Sequence, residues 1–107
     1  MQKHQTFVVG QRWLSESEPE LGLGIVVDHD HRTVTLEFRS SEQTRRYARL
    51  QAPLSRILFA VGDTITTITG DELVVLEVLP YQDTVIYHAH QKDNPAETIK
   101  LPESLLS

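Results

Sequence analysis

A repeat of roughly 50 residues runs through this sequence and constrains its fold more than any other feature. The dipeptide Val9-Gly10 recurs as Val61-Gly62, and a polar residue follows each copy. Further segments keep nearly the same spacing, namely Thr33–Leu36 with Thr84–Tyr87 and Ala52–Ile57 with Leu101–Leu106. A repeat of this length, with several short strands in each copy, predicts two small β-modules in tandem.

Strand patterns dominate both copies of the repeat. Val34, Leu36 and Phe38 alternate with polar residues, which is typical of a half-buried strand. The segment Leu73–Leu79 is apolar at nearly every position and predicts a strand covered on both faces. Gly24, in the second predicted strand, indicates a bend or a close backbone approach. We therefore predict an all-β chain of two small barrels of highly bent antiparallel sheet, since closure removes exposed sheet edges.

The two modules differ in charge. The boundary is predicted near Leu58–Val61, with the first module at residues 1–59 and the second at residues 60–107. Residues 1–56 carry eight basic and seven acidic side chains, a formal charge of +1. Residues 57–107 carry two basic and eight acidic ones, a formal charge of −6. The two copies therefore present different surfaces and are expected to contact different groups.

Composition excludes several classes of protein. A net charge of −5 argues against a general polyanion binder. With no cysteine the chain can form neither disulfides nor thiolate metal sites, which fits a cytoplasmic protein. Met1–Gln5 is polar and no apolar run is long enough for a bilayer, so we expect neither a secretory signal nor a membrane contact.

Arginines concentrate in the first module and form the best candidate site. Arg45, Tyr47 and Arg49 are predicted to share one face of a strand, an arrangement suited to nucleic acid or to an acidic protein surface. The candidate partner contacts are Arg39, Arg45, Arg46, Tyr47 and Arg49. The alternative is that these arginines pair with glutamates of the same module, namely Glu37, Glu42 and those of Glu16–Glu20.

No catalytic, cofactor-binding or metal site is predicted. None of the glycines leads into a Gly-Lys-Ser/Thr phosphate loop. His29 with His31, and His88 with His90, could chelate a metal, but neither pair has a distant third ligand. Solvated turn and edge histidines are the favoured interpretation, with metal binding as the alternative. Trp13 is predicted to be a buried anchor of the first module rather than a partner contact.

A more specific pattern lies in five segments that occur in order along nearly the whole chain. They are Gly10–Ser15, Glu20–Gly24, Arg45–Ala48, Ala52–Arg56 and Gly62–Asp63. In sequence and in order these segments resemble the start of the RapA family. Its members are bacterial RNA polymerase-associated ATPases of the Swi/Snf type.

The resemblance carries expectations about fold and function. It implies two Tudor-like (SH3-like) barrels that precede the ATPase lobes of a larger cytoplasmic protein. That protein is implied to be a transcription activator that binds DNA and uses ATP with magnesium to recycle RNA polymerase. The amino-terminal region is implied to dock core RNA polymerase and to restrain the protein's own ATPase lobes. The alternative function is a nucleic-acid-binding SH3-like barrel that uses Arg45, Arg46, Tyr47 and Arg49.

Overall fold

Two compact units, residues 1–57 and residues 58–107, make up the chain. The computed structural model describes residues 6–107, so residues 1–5, predicted to begin the first module, lie outside the described residues. Each unit contains one antiparallel sheet, and residues 6–107 form strands and short 3₁₀ turns. The all-β prediction is confirmed. No helix within residues 6–107 is long and apolar enough to cross a membrane.

The first sheet has five strands in the order β4-β3-β2-β1-β5. Its strands are β1 Arg12–Ser15, β2 Leu23–His29, β3 Thr33–Phe38, β4 Gln43–Ala48 and β5 Leu54–Arg56. Two 3₁₀ turns, Pro19–Leu21 and Arg39–Ser41, precede β2 and β4. Sequential hairpins build most of this sheet, and β5 then pairs with β1.

The second sheet has four strands in the order β6-β7-β8-β9. Its strands are β6 Thr64–Thr66, β7 Glu72–Tyr81, β8 Thr84–Gln91 and β9 Asn94–Pro102. A 3₁₀ turn, Glu103–Leu105, follows β9 and returns the chain to β6, where Leu106 forms an isolated bridge with Thr67. The end of each copy therefore reaches the first strand of its own unit.

Neither sheet closes into a barrel, and this part of the prediction is wrong. In the first sheet, β4 and β5 lie at opposite ends of the strand order and do not pair. Residues 49–53 connect them, with Gln51 at a φ of 62°. This connection carries the chain away from β4, and β5 forms its hydrogen bonds with β1 instead. In the second sheet, β6 and β9 likewise stay unpaired with each other.

The first unit has its own apolar core, which the predicted alternation of β3 helps to build. Val34, Leu36 and Phe38 are all fully buried, while the residues between them face outward. The core cluster comprises Phe7, Trp13, Leu21, Val26, Val34, Leu36, Phe38, Ala52 and Leu54. Trp13 is only 5% exposed and its ring centroid lies 4.7 Å from that of Phe7, so its role as a buried anchor is confirmed.

The second unit has a separate core built mainly on β7 and β8. Its cluster comprises Ile65, Leu73, Val75, Val85, Tyr87, Ala89, Leu101 and Leu106. Tyr87 is fully buried, and its hydroxyl accepts a hydrogen bond of 3.0 Å from the amide of Phe59. That contact satisfies a polar atom that would otherwise be costly to bury. The tip of the β7–β8 hairpin has Gln82 and Asp83 at φ values of 47° and 64°, which suit a tight hairpin turn.

The repeated glycines perform the same task in both units. Gly10 has a φ of 98° and Gly62 a φ of 94°, in the region where glycine is favoured. The Gly10 amide donates to the carbonyl of Val26 at 2.9 Å, and the Gly62 amide donates to the carbonyl of Val75 at 2.8 Å. Each turn is thereby fastened to the long second strand of its own unit. The sequence repeat is a structural repeat at this point.

The polar residue after each glycine closes the same turn with its side chain. Gln11 Oε1 accepts a hydrogen bond from the Val8 amide at 3.1 Å. Asp63 Oδ2 accepts one from the Ala60 amide at 2.8 Å. Gln11 Oε1 also accepts from the indole nitrogen of Trp13 at 3.0 Å, which ties the turn of the first unit to its core. Glutamine and aspartate therefore fill equivalent positions despite their different lengths.

A second repeated feature is a β-bulge in the long strand of each unit. The pairing register skips Val27 in β2 and Leu76 in β7, and these residues are 40% and 41% exposed. The prediction that Leu73–Leu79 is covered on both faces is therefore wrong. Leu73 and Val75 face the core, but the bulge turns Leu76 toward solvent. An antiparallel sheet with one solvated face accommodates this apolar run.

Gly24 lies where the core leaves no room for a side chain, as predicted. A Cβ atom built on Gly24 would lie 2.7 Å from Phe38 Cε1 and 3.0 Å from Leu36 Cδ2. Contacts this short cannot persist without movement of the ring. The Phe38 ring therefore packs directly on the backbone of β2.

We expect Gly24→Ala to destabilise the chain by about 1–3 kcal/mol, because the added methyl group overlaps the Phe38 ring. Chemical denaturation followed by the fluorescence of Trp13, which shares this core, measures the change. The cost should shrink in a Phe38→Leu background, where the ring is absent. An equal cost in both backgrounds would contradict the steric explanation.

Candidate interaction surface

The predicted contact residues gather on and around β4. This strand pairs with β3 along its whole length, and Tyr47 lies opposite Val34. Arg45 and Tyr47 are half-buried, whereas Arg46 is exposed. The predicted shared face of Arg45, Tyr47 and Arg49 is thus present. It is the inner face of the sheet, on which Tyr47 packs against the core of the first unit.

Arg45 is held by the acidic loop before β2. Its Nε lies 3.2 Å from Glu18 Oε1, and its Nη1 donates to Gln43 Oε1 at 3.1 Å. The hydrogen bond to Glu18, with the charge of that carboxylate, keeps the pKa of Arg45 above its ordinary value. This ion pair matches the predicted alternative, in which the arginines pair with glutamates of their own module. Arg45 can reach a partner only by giving up part of this contact.

Arg49 is tied to the β2–β3 hairpin and to the core. Its Nη1 donates to the backbone carbonyl of Asp30 at 2.7 Å and lies 3.5 Å from His29 Nδ1. Its guanidinium carbon also lies 5.7 Å from the centroid of the Phe7 ring, within cation–π range. These contacts give Arg49 a clear structural role within the first unit.

Arg39 lies in the 3₁₀ turn between β3 and β4. Its Nε is 3.7 Å from Glu37 Oε1, and both side chains are well exposed. An exposed pair at this distance contributes at most a fraction of a kcal/mol, about 0–1, so it places little restraint on the guanidinium. The pair with Glu37 is therefore a weaker restraint on Arg39 than the Glu18 pair is on Arg45.

Tyr47 contributes its ring to the core, but its hydroxyl has no hydrogen-bond partner among the described residues. The ring packs against the first core cluster. The hydroxyl oxygen is buried and finds no donor or acceptor among residues 6–107. A buried hydroxyl in this state is unfavourable by about 1–3 kcal/mol relative to one that is satisfied. The contribution of Tyr47 to the first unit therefore comes from its ring and not from its hydroxyl.

Arg46 has surroundings unlike those of the other arginines. It lies opposite Thr35 on the outer face of the sheet and is exposed. Within the described part of the chain, no carboxylate lies within ion-pair distance of its guanidinium. Of the arginines of β4, Arg46 is therefore the one whose charge is available to a partner. Sequence alternation places Arg46 on the face opposite Arg45, but it could not show which of the two faces is exposed, because both residues stand in the same polar segment.

The histidine pairs do not come together with other ligands. His88 Nδ1 lies 3.8 Å from Glu77 Oε1, and His90 Nδ1 lies 2.8 Å from the carbonyl of Gln91. Across residues 6–107, no group of three or more histidine, cysteine, aspartate or glutamate side chains could hold a metal ion. Metal binding by either pair would need ligands from outside this part of the chain.

Asp30 organises the hairpin that receives Arg49. Its Oδ1 accepts hydrogen bonds of 2.7 Å from the amides of Arg32 and Thr33. The amide of Arg32 first, and then that of Thr33, lower the pKa of the Asp30 carboxyl below its ordinary value of 3.8. The carboxylate form therefore stabilises this turn.

Both units match models of known protein families. Residues 7–57 match the family model described as RapA N-terminal Tudor like domain 1. Residues 59–107 match the model described as RapA N-terminal Tudor like domain. The chain belongs to the RapA family. Within that family it corresponds to the N-terminal Tudor-like region. The resemblance found in the sequence is confirmed.

Individual relatives agree with the family assignment. The RNA polymerase-associated protein RapA of Actinobacillus pleuropneumoniae serotype 5b (strain L20) is 49% identical over 94% of this chain and 10% of its own length. That of Vibrio campbellii (strain ATCC BAA-1116) is 47% identical over 95% of the chain and 10% of its own length. The chain thus spans about a tenth of the length of the curated relatives it matches.

We expect Tyr47→Phe to unfold within about 1 kcal/mol of the natural chain, or to be more stable, because it removes an unsatisfied hydroxyl. Tyr47→Ala, which also removes the ring, should cost about 2 kcal/mol or more. Urea denaturation of the three proteins gives both values. A loss for Tyr47→Phe as large as that for Tyr47→Ala would show that the hydroxyl has a partner.

Asp30 is expected to make stability depend on pH in the acid range. Because its pKa is lower in the folded chain, its contribution is fully present above the ordinary value of 3.8. That contribution is lost as the pH falls through the folded-state pKa. The difference in free energy of unfolding between the natural chain and Asp30→Asn should therefore shrink as the pH is lowered. A constant difference through this range, measured by urea denaturation, would contradict the assignment.

Proposed function

We propose that this chain is a regulatory interaction region that docks core RNA polymerase and restrains the ATPase lobes of a longer protein. The observation that carries the proposal is the match of two RapA Tudor-like domains to two separate antiparallel sheets. The relatives are named RNA polymerase-associated proteins, which supports polymerase as the partner. The chain acts by binding, and no residue is assigned a catalytic role.

The remaining functions belong to the longer protein. We assign to it ATP hydrolysis with magnesium, DNA binding, recycling of polymerase, activation of transcription and a cytoplasmic location. The relatives are about ten times as long as the matched segment, since the match covers 10% of their length. An ATPase of that kind has room for its motor lobes outside residues 1–107.

The arginine contacts leave few cations available to the phosphates of a nucleic acid. A phosphate group that approached Arg45 would compete with Glu18, and at Arg49 it would compete with the Asp30 carbonyl. Nucleic-acid binding usually draws on several free cations at once. The net charge of −5 also repels a polyanion. Nucleic-acid binding remains the alternative function, with Arg46 as its best-placed cation.

The chain is expected to form a complex with purified core RNA polymerase, measured by the fluorescence anisotropy of a labelled chain. Removal of residues 1–107 from the longer protein should weaken its binding to polymerase and raise its ATPase rate in the absence of polymerase. Each effect follows from the loss of a docking surface and of a restraint on the motor.

A single-stranded RNA oligonucleotide is the control ligand. Binding to RNA that weakens with added salt, without binding to polymerase, would favour the alternative function. If the chain bound neither polymerase nor the separated ATPase lobes, and if its removal left the ATPase rate unchanged, the proposed function would be refuted.

A further inference from the structure

The outer edge of β4 presents backbone groups that pair with no strand within residues 6–107. β4 ends the strand order of the first sheet, and no other strand within residues 6–107 pairs with its outer side. The amide of Arg49 donates to the carbonyl of Arg32, in line with β3, at 2.8 Å. Backbone groups of alternate residues point to the same side of a strand, so those of Tyr47 and Arg45 also point toward β3. The amides and carbonyls of Thr44, Arg46 and Ala48 therefore point outward. The Thr44 carbonyl accepts a hydrogen bond of 3.1 Å from Arg45 Nη1, which an added strand would displace.

The same three residues also leave space for an added strand. Thr44, Arg46 and Ala48 are all exposed, and two of them have small side chains. Their side chains stand on the outer face, beside those of Thr35 and Glu37 on β3. An added strand would thus find hydrogen-bonding groups at every second residue and little steric obstruction.

The charge of Arg46 favours one kind of segment as the added strand. The outer face carries the charges of Glu37 and Arg46, and Glu37 is paired with Arg39. An extended segment that pairs with β4 would place a side chain directly opposite Arg46. A basic or neutral segment would leave this guanidinium unpaired, whereas an acidic residue would form a charge-assisted hydrogen bond with it. Edge strands that carry charge are in this way protected from indiscriminate pairing.

The β9 edge of the second sheet is less suited to the same interaction. β9 contains Pro95 and Pro102, which have no amide hydrogen to donate. Its pairing with β8 is also irregular between His90 and Gln91. Such interruptions make an edge a poor template for a regular added strand. The two units therefore differ in edge geometry as well as in charge.

From these observations we infer that β4 binds an extended acidic segment of a protein partner by β-strand addition. The outward backbone groups of Thr44, Arg46 and Ala48 pair with the backbone of that segment. Arg46 pairs with one of its carboxylates. The inference rests on the proposed docking function and names the surface and the chemistry of the partner. It favours protein over nucleic acid, because a peptide backbone supplies donors and acceptors at the two-residue spacing of the edge.

The test uses the 107-residue chain, core RNA polymerase and two pairs of variants. Thr44→Pro removes an outward amide and is tolerated at an edge, whereas Thr44→Val keeps that amide. Arg46→Glu reverses the charge, whereas Arg46→Lys keeps it. Thr44→Pro and Arg46→Glu should each weaken binding by about tenfold or more, which corresponds to loss of one strong hydrogen bond. The two conservative variants should bind within about threefold of the natural chain.

Two further controls distinguish binding at the β4 edge from a general effect of charge or of stability on binding. Lys100→Glu makes the same charge reversal on an exposed residue of β9 and should leave binding unchanged. Amide hydrogen exchange at Thr44, Arg46 and Ala48 should slow in the complex, since these amides become hydrogen-bonded. Thermal unfolding of each variant shows whether the first sheet is intact.

A synthetic peptide of alternating valine and glutamate separates the strand addition from the docking function. Binding of this peptide with slowed exchange at the three amides supports the inference, even if polymerase is not bound and the proposed function fails. Folded Thr44→Pro and Arg46→Glu variants that bind polymerase as well as the natural chain would overturn the inference and leave the docking function standing. Absence of peptide binding, or RNA binding through Arg46 without slowed exchange, would also overturn it.

Discussion

The hydrogen bond from a glycine amide to the long second strand is the contact on which each unit depends. Gly10 and Gly62 make it at 2.9 Å and 2.8 Å, and both adopt a positive φ that favours glycine. Once the turn is fastened there, the next residues run antiparallel to that strand and form β1 or β6. The closing segment of each copy then pairs beside this first strand. The Val-Gly sequence of this turn occurs in both copies, and in each unit the first strand of the sheet begins just after it.

Alternation along β4 then decides which arginines remain available for binding. Arg45 and Arg49 lie on the inner face of the first sheet. There Arg45 pairs with Glu18, and Arg49 donates to the carbonyl of Asp30. Their charges therefore contribute to the internal structure of the unit. Arg46 points the opposite way and keeps its charge exposed. A segment rich in arginine thus presents fewer free cations than its composition indicates, because strand geometry assigns alternate residues to opposite faces.

Much of the fold could be predicted from local patterns, and the errors share one cause. The alternation of Val34, Leu36 and Phe38 and the burial of Trp13 follow from side-chain chemistry and are confirmed. The predictions that the barrels close and that Leu73–Leu79 is covered on both faces are wrong. Both features depend on which strands become neighbours. Pairing between distant segments, and a bulge such as the one at Leu76, leave little trace in the local sequence.

The sequence by itself determined the all-β class, the tandem repeat, the family and the gathering of candidate contacts near β4. These properties follow from residue order, strand periodicity and turn chemistry, which are local. Only the tertiary structure decided that β4 lies at an edge and that Arg45 is paired while Arg46 is exposed. Glu18 is remote from β4 in the chain, and the order of strands in a sheet is set by long-range hydrogen bonds and core packing. Those interactions exist only once the chain has folded.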